Sequence, residues 1–392
     1  MSRGARAGPR LFLVTPRRNP VSITKKATVV AVGLGLVTLS ACGSSSDAGS
    51  SGSGSKTVTL VSHDSWAVSK NVLADFEKQS GYKVKVLKDG DAGQAVNKAI
   101  LTKDNPQGDV FFGVDNTLLS RALDNGLFQS YEAKGSELVL SDYRADRDKH
   151  RVTPIDTGDI CVNYDKAYFS EHKLTPPNSF DDLIKPEYKN LLVTENASTS
   201  SPGLGFLLGT AAEYGDGGTS RSSEAESGGG WQDYWKKLKA NGVKVVDGWE
   251  QAYNEEFSGS AGGKQAKADR PLVVSYASSP PAEVIYADPK PKTAPTGVAT
   301  GTCFRQVEYA GLLSNAKNAK GGKALLDFLL TKEFQEDMPL NMFVYPVRDG
   351  ARVPAEFTEY GPQAEDPETL APDKIADHRD QWVKSWTSLV LK

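Results

Sequence analysis

Two segments of the chain share one design. In Ser200-Ser201-Pro202 and in Ser278-Ser279-Pro280 an apolar run ends, serines take the cap position and proline enters the first helical turn. The unpaired N–H groups of such a start, at the positive end of the helix dipole, suit phosphate or carboxylate. Plain helix capping uses the same residues, and two such starts in one half of the chain leave the two readings balanced. Trp249 and Tyr276 each follow a strand-like run, where an aromatic face stacks on a flat ring or a cation, or simply lines the core or lip. Asp64, Asp89 and Asp115 stand at the ends of other apolar runs, placed either to neutralise a cationic ligand or to terminate strands. Catalytic chemistry has less support. The histidines (His63, His150, His172, His378) and three cysteines form no H-E-x-x-H or C-x-x-C, and there is no phosphate loop or nucleophile elbow. His63 has no serine partner at motif spacing. The pattern is one of binding, with no enzyme signature.

The elements that hold these residues alternate. Thr57–His63 reads as a strand, 67–79 as a helix with Val72, Leu73 and Phe76 on one face, and Tyr82–Leu87 as a strand before an Asp89-Gly90 turn. A helix over Gln94–Thr102 and a buried strand over Gly108–Val114, ending at Asp115, follow. This βαβα rhythm predicts a mainly parallel sheet with helices on both faces, and ligands bind such sheets outside the carboxyl ends of the strands. A second α/β unit begins near residue 157. Its predicted strands are Ile160–Tyr164, Leu191–Thr194, Val243–Val246 and Pro271–Tyr276. Its predicted helices are a short capped one in Asn178–Leu183, Thr199 to about Tyr214, Trp231–Asn241, Gln251–Phe257 and one opening at Ser278. Gly215–Gly230 and Ala261–Arg270 read as loops. Cys303–Tyr309 is a further strand, Lys320–Leu330 a helix, and a C-terminal helix carries Trp382 and Trp386 on one face at i and i+4.

Composition narrows the class. The chain of 392 residues has 46 Lys plus Arg against 49 Asp plus Glu, a net −3. Seven of the basic groups, and no acid, fall in residues 1–41, so the remaining 351 residues carry 39 positive and 49 negative charges, net −10. An acidic body repels phosphate backbones, which excludes general nucleic-acid binding as the main activity. With 39% hydrophobic residues the chain supports packed cores, and its length suggests about two domains. A basic region ending in Lys25-Lys26 precedes the apolar run Ala27–Leu39, which is too short to span a bilayer and reads as a signal-peptide core. Leu39-Ser40-Ala41-Cys42 resembles a lipobox. By that resemblance Cys42 is lipidated and becomes the new N-terminus; ordinary cleavage near Ala41 is the alternative. Residues 43–55 are almost wholly Gly and Ser and read as a flexible tether.

These residues, taken together, resemble bacterial thiamine-binding proteins, the substrate-binding subunits of thiamine ABC importers. The resemblance rests on Val58–Ala67, Asp89-Gly90, Gly113–Leu119, Thr199–Gly205, Gly248–Tyr253, Val274–Pro280 and Tyr345–Val347, in order over roughly residues 57–390. It implies an α/β, two-lobed type II periplasmic-binding fold with the ligand cleft between lobes. It also implies that Asp89, Gly90, Ser200, Ser201, Ser278 and Ser279 hold the phosphate or hydroxyethyl end of thiamine or a thiamine phosphate. Asp64, Trp249, Tyr276 and Ala277 complete the implied ligand set, with His63, Asp115, Phe343 and Tyr345 more peripheral. His63, Ala282 and Phe343 stand where the family carries aromatic Tyr, an aromatic and Trp, removing aromatic surface from the pyrimidine side. The implied partners are a permease and its ATPase, with no cofactor, no metal and no nucleic acid, the protein being a monomer outside the cytoplasm and held to the membrane by its lipid alone.

The expected division is a signal peptide 1–41, a tether 42–56, lobe 1 over 57–156 and 300–345, and lobe 2 over 157–299 and 346–392. The chain would cross between lobes near Thr157–Ile160 and Thr300–Val307, and the C-terminal helix would pack on lobe 2. With Cys42 taken by lipid, Cys161 and Cys303 remain in an oxidising compartment, on strands placed at the crossings, and a disulfide between them is expected; two buried free thiols are the alternative. Other ligands of the same fold stay open, such as a polyamine, an anion or ferric iron, although no adjacent tyrosine pair exists for iron. An exported lipid-anchored hydrolase is the reading from a different class.

Overall fold

A computed structural model describes residues 55–216 and 230–392. The expected signal peptide, Cys42 and the expected tether up to residue 54 lie outside these residues, as does the stretch 217–229. Nine strands form one sheet: β1 (Thr57–Ser62), β2 (Lys83–Lys88), β3 (Val110–Asp115), β4 (Thr153–Asp165), β5 (Leu192–Glu195), β6 (Lys244–Val246), β7 (Leu272–Tyr276), β8 (Thr296–Leu312) and β9 (Tyr345–Pro346). Their order is β2-β1-β3-β8-β4-β7-β5-β6, with β9 added to β4. The pairs β1/β2, β1/β3, β5/β6 and β5/β7 are parallel. The middle of the sheet is antiparallel, through β3/β8, β4/β8 and β4/β7. The expectation of a mainly parallel sheet therefore holds only for the flanks. Alternation of apolar residues specifies which face a strand buries and says nothing of its direction.

The long strands β4 and β8 belong to both flanks. Residues Glu308–Leu312 of β8 pair with β3, while Thr296–Ala310 pair along β4. Residues Ile160–Tyr164 of β4 pair in turn with β7. Two adjoining strands thus connect one α/β half, built on β1–β3, to another, built on β5–β7. Within this pair Cys161 and Cys303 are joined by a disulfide, S–S 1.98 Å, with Cα atoms 4.2 Å apart.

Local sequence explains the flanking helices. The helix Lys70–Ser80 is capped by Ser69, whose hydroxyl accepts from Val72 N–H, and it buries Val72 and Phe76 against the sheet. The helix Ser201–Tyr214 is buried on nearly every side. It lies between the sheet and an aromatic cluster in which Trp235 meets Phe206 and Trp386 edge to face. The C-terminal helix Pro372–Val390 supplies Trp386 and lets Trp382 Nε1 donate to Asp216 Oδ1 at 2.8 Å. It also reaches the first half, where Asp380 lies 3.4 Å from Arg121, so it spans both halves rather than packing on one.

Two further differences have local causes. Ala261–Ala266 is a helix where a loop was expected. Its glycines lower helix propensity, but Gly263 lies against the Phe257 carbonyl where a Cβ has no room, and Ser260 caps the start by accepting from Gly263 N–H at 2.8 Å. Strand β8 begins at Thr296 rather than Cys303: Gly297 and Thr300-Gly301-Thr302 interrupt the apolar run, and the pairing with β4 shifts register between Phe304 and Ala299 before continuing to Thr296.

Candidate functional site

The carboxyl ends of the strands meet at one cleft. From the first half come His63 and Ser65 after β1, and Asp91 with Ala92 after β2; from the second come Ser201, Trp249, Tyr276 and Ser279. Strand β8 contributes Gln306 and Glu308, and the segment Met342–Val344 closes one side. The inner chamber holds about 600 Å³ of open space. It shares Ser65, Trp249, Ser279, Met342 and Phe343 with an outer chamber of about 980 Å³ that also takes in Asp64, Lys88, Ala282 and Tyr286.

Trp249 is fixed on three sides. Its indole N–H donates to Ser275 Oγ at 2.9 Å, its backbone N–H to Asp91 Oδ2 at 2.9 Å, and one ring face stacks on Tyr253 with centroids 5.1 Å apart. The ring reaches both chambers. Tyr276 packs closely over Gly158, where an added Cβ would stand 3.2 Å from the ring. Burial raises its phenol well above the ordinary value, so it stays neutral. Phe343 sits at φ +59°, a conformation that costs energy for an aromatic residue, and meets Tyr286 edge to face.

The floor is rich in acids. His63 Nε2 lies 3.2 Å from Glu308 Oε1. Burial disfavours the imidazolium, but the Glu308 carboxylate and Asp91 outweigh it and hold the His63 pKa above its usual value. The close fit of this imidazole demands Gly113 at φ +105°, since a Cβ there would run into its ring. Glu308 is hydrogen-bonded to Asp156, whose acid is pushed well above the carboxylate range by burial and then by its carboxylate neighbours. Asp115 lies just beneath, accepting from Gln306 Nε2 at 2.7 Å, from Thr117 and from Ser201 Oγ. Burial raises its pKa despite these donors.

The structure brings His63, Ser201, Trp249, Tyr276, Ser279 and Phe343 together on the inner chamber and Asp64 on the outer one. Asp89 turns away to Lys98, 2.5 Å distant, and the Gly90 N–H donates to Asp64 Oδ1 at 3.2 Å. Ser200 is buried with its hydroxyl on Asp91. Ala277 is buried beside the disulfide, and Ser278 is buried without a partner for its hydroxyl. Tyr345 donates to Gly361 O at 2.6 Å, away from the chambers. Asp91, Gln306 and Glu308 were not singled out from the sequence. Asp91 follows the Asp89-Gly90 turn and reads as a plain helix cap, and Gln306 and Glu308 alternate within a strand as ordinary polar positions do. The nearest signal was the polar Gln and Glu inside a run that otherwise buries its side chains.

The family model described as bacterial extracellular solute-binding protein matches residues 71–365. A protein of Salmonella typhimurium named thiamine-binding periplasmic protein is 28% identical over 340 residues, covering 86% of this chain and 94% of its own length. Its namesake from Escherichia coli matches to the same extent, 28% over 340 residues with the same coverage. Among solved structures, one described as a periplasmic thiamin binding protein superposes with a TM-score of 0.70 at 25% identity, covering 85% of this chain and 96% of the other.

Proposed function

The chain belongs to the bacterial extracellular solute-binding protein family, and we propose that it captures thiamine outside the cytoplasm for an ABC importer. Its fold is the two-lobed type II periplasmic-binding fold. The observation that carries the ligand is the pairing of an aromatic wall (Trp249, Tyr276, Phe343) with an acid-rich floor (Asp91, Glu308, and Asp115 beneath). A flat cationic ring stacks on the first and is neutralised by the second. The names of the relatives support the same ligand.

In this reading the lobes are 57–156 with 300–345 and 157–299 with 346–392, and they close over thiamine by bending at β4 and β8. The ligand is bound and released without chemical change, then handed to the permease. Lipidated Cys42 holds the protein to the membrane, with residues 43–55 as tether. The test is mass spectrometry of protein isolated in the native state and then denatured. Thiamine or a phosphate ester released intact supports the reading. A different metabolite in stoichiometric amount, or turnover of added thiamine, sinks it.

A further inference from the structure

The helix start Ala92–Leu101 and the helix start Ser201–Tyr214 face each other across the cleft, and Asp91 stands between them. Its Oδ1 accepts from Ala92 N–H at 2.6 Å. Its Oδ2 accepts from Trp249 N–H at 2.9 Å and from Ser200 Oγ at 3.2 Å. One carboxylate thus takes a helix N–H, a loop N–H and a serine hydroxyl, which is the set of donors a phosphate group seeks. The neighbouring hydroxyls are also engaged by the protein. Ser201 Oγ donates to Asp115, and Ser279 Oγ is 2.9 Å from Ser275 Oγ. Among the described residues that line the inner chamber, His63 is the basic one, and it is paired with Glu308. Lys88, in the outer chamber, is turned to the Asp64 carbonyl at 2.6 Å.

Resting on thiamine as the ligand, we propose that Asp91 is a specificity residue that fills the phosphate subsite with the protein's own carboxylate, so that the site selects thiamine with a free hydroxyethyl group over its phosphate esters. The hydroxyethyl end is a weak, uncharged donor and acceptor that tolerates a carboxylate neighbour. A phosphate brought to the same donors meets the Asp91 carboxylate, and it must displace Asp91 from three hydrogen bonds to reach them. Selectivity here is carried by an opposing group built into the wall rather than by an added contact.

The experiment is calorimetric titration of the full chain with thiamine and with thiamine monophosphate, in the wild type and in Asp91→Ser and Asp91→Asn. Serine keeps a capping hydroxyl at the helix start and asparagine keeps the shape, so between them the loss of charge is separated from loss of the cap. The wild type is expected to bind thiamine at least about ten-fold more tightly than the monophosphate. Both variants should shift that ratio toward the ester by about ten-fold or more. A wild type that binds the monophosphate as tightly as thiamine overturns the proposal without recourse to any variant. So does a ratio unmoved in a variant that melts like the wild type. A wild type that binds neither compound removes the thiamine reading itself and this inference with it, an outcome distinct from the other two.

Discussion

Trp249 is held on three sides at the cleft. Ser275 holds its indole N–H, Asp91 its backbone, and Tyr253 one face, leaving the ring rigid at the junction of the two chambers. Stacking on a desolvated cation is worth on the order of 1–2 kcal/mol, so Trp249→Ala should weaken ligand affinity about ten-fold or more. Equal affinities in calorimetry would reduce Trp249 to a lip residue. Glu195, at the end of β5, lies fully buried with neither carboxylate oxygen meeting a donor from another residue, and burial raises its pKa well above 4.5. An acid whose folded pKa is raised is at no disadvantage below the unfolded value near 4.5. It then loses stability as the pH climbs toward the folded value, at about 1.4 kcal/mol per unit of separation. Glu195→Gln should therefore melt at a higher temperature than the wild type near neutral pH, with the gain vanishing below about pH 4.5. Parallel melting curves across that range would contradict it. At this scale the sequence was legible where residue type is unusual for its place, as with Trp249, and half legible in the paired serines, of which Ser201 and Ser279 line the inner chamber while Ser200 and Ser278 are buried. It was illegible where an acid that lines the cleft looks like a structural one, as with Asp91 and Glu308.

The elements carry a second kind of contact, between the halves. Gln94 N–H donates to the Thr199 carbonyl at 3.1 Å, and a Cβ on Gly93 would stand 2.6 Å from that same oxygen. Glycine at 93 lets the helix start Ala92–Leu101 touch the opposite half. Gly93→Ala should prop the halves apart, lowering ligand affinity by on the order of ten-fold, the equivalent of about 1.4 kcal/mol. The variant's melting temperature should be little changed, since alanine favours the helix itself. Small-angle scattering with saturating ligand should report a larger radius of gyration than in the wild type; an unchanged affinity and radius would show that the contact is slack. Most elements were legible because strand alternation and a repeating apolar helix face are local signals, as in Thr57–Ser62 and in the Val72 and Phe76 face of Lys70–Ser80, whose start at the Ser69 cap was read three residues too early. Direction and length of β4 and β8 were not, because a strand's partner is chosen by tertiary packing. The glycine-rich helix Ala261–Ala266 shows the same override of propensity by a close approach.

Across the whole molecule, the halves are joined by the shared strands β4 and β8, with Cys161–Cys303 between them, and by the C-terminal helix, which touches both. The disulfide closes a loop of 142 residues, worth roughly 4–5 kcal/mol by chain entropy, although real bridges often deliver less. Reduction should lower the melting temperature, and alkylation of denatured, unreduced protein should spare Cys161 and Cys303. Full labelling of both would leave them as free thiols. Binding at an aromatic wall over an acid-rich floor remains the central claim, and calorimetric titration of the wild type with thiamine at tens of micromolar protein tests it most directly. One site per chain with quenching of tryptophan fluorescence is the predicted result; no heat and no quenching, with thiamine or with its phosphates, would contradict it.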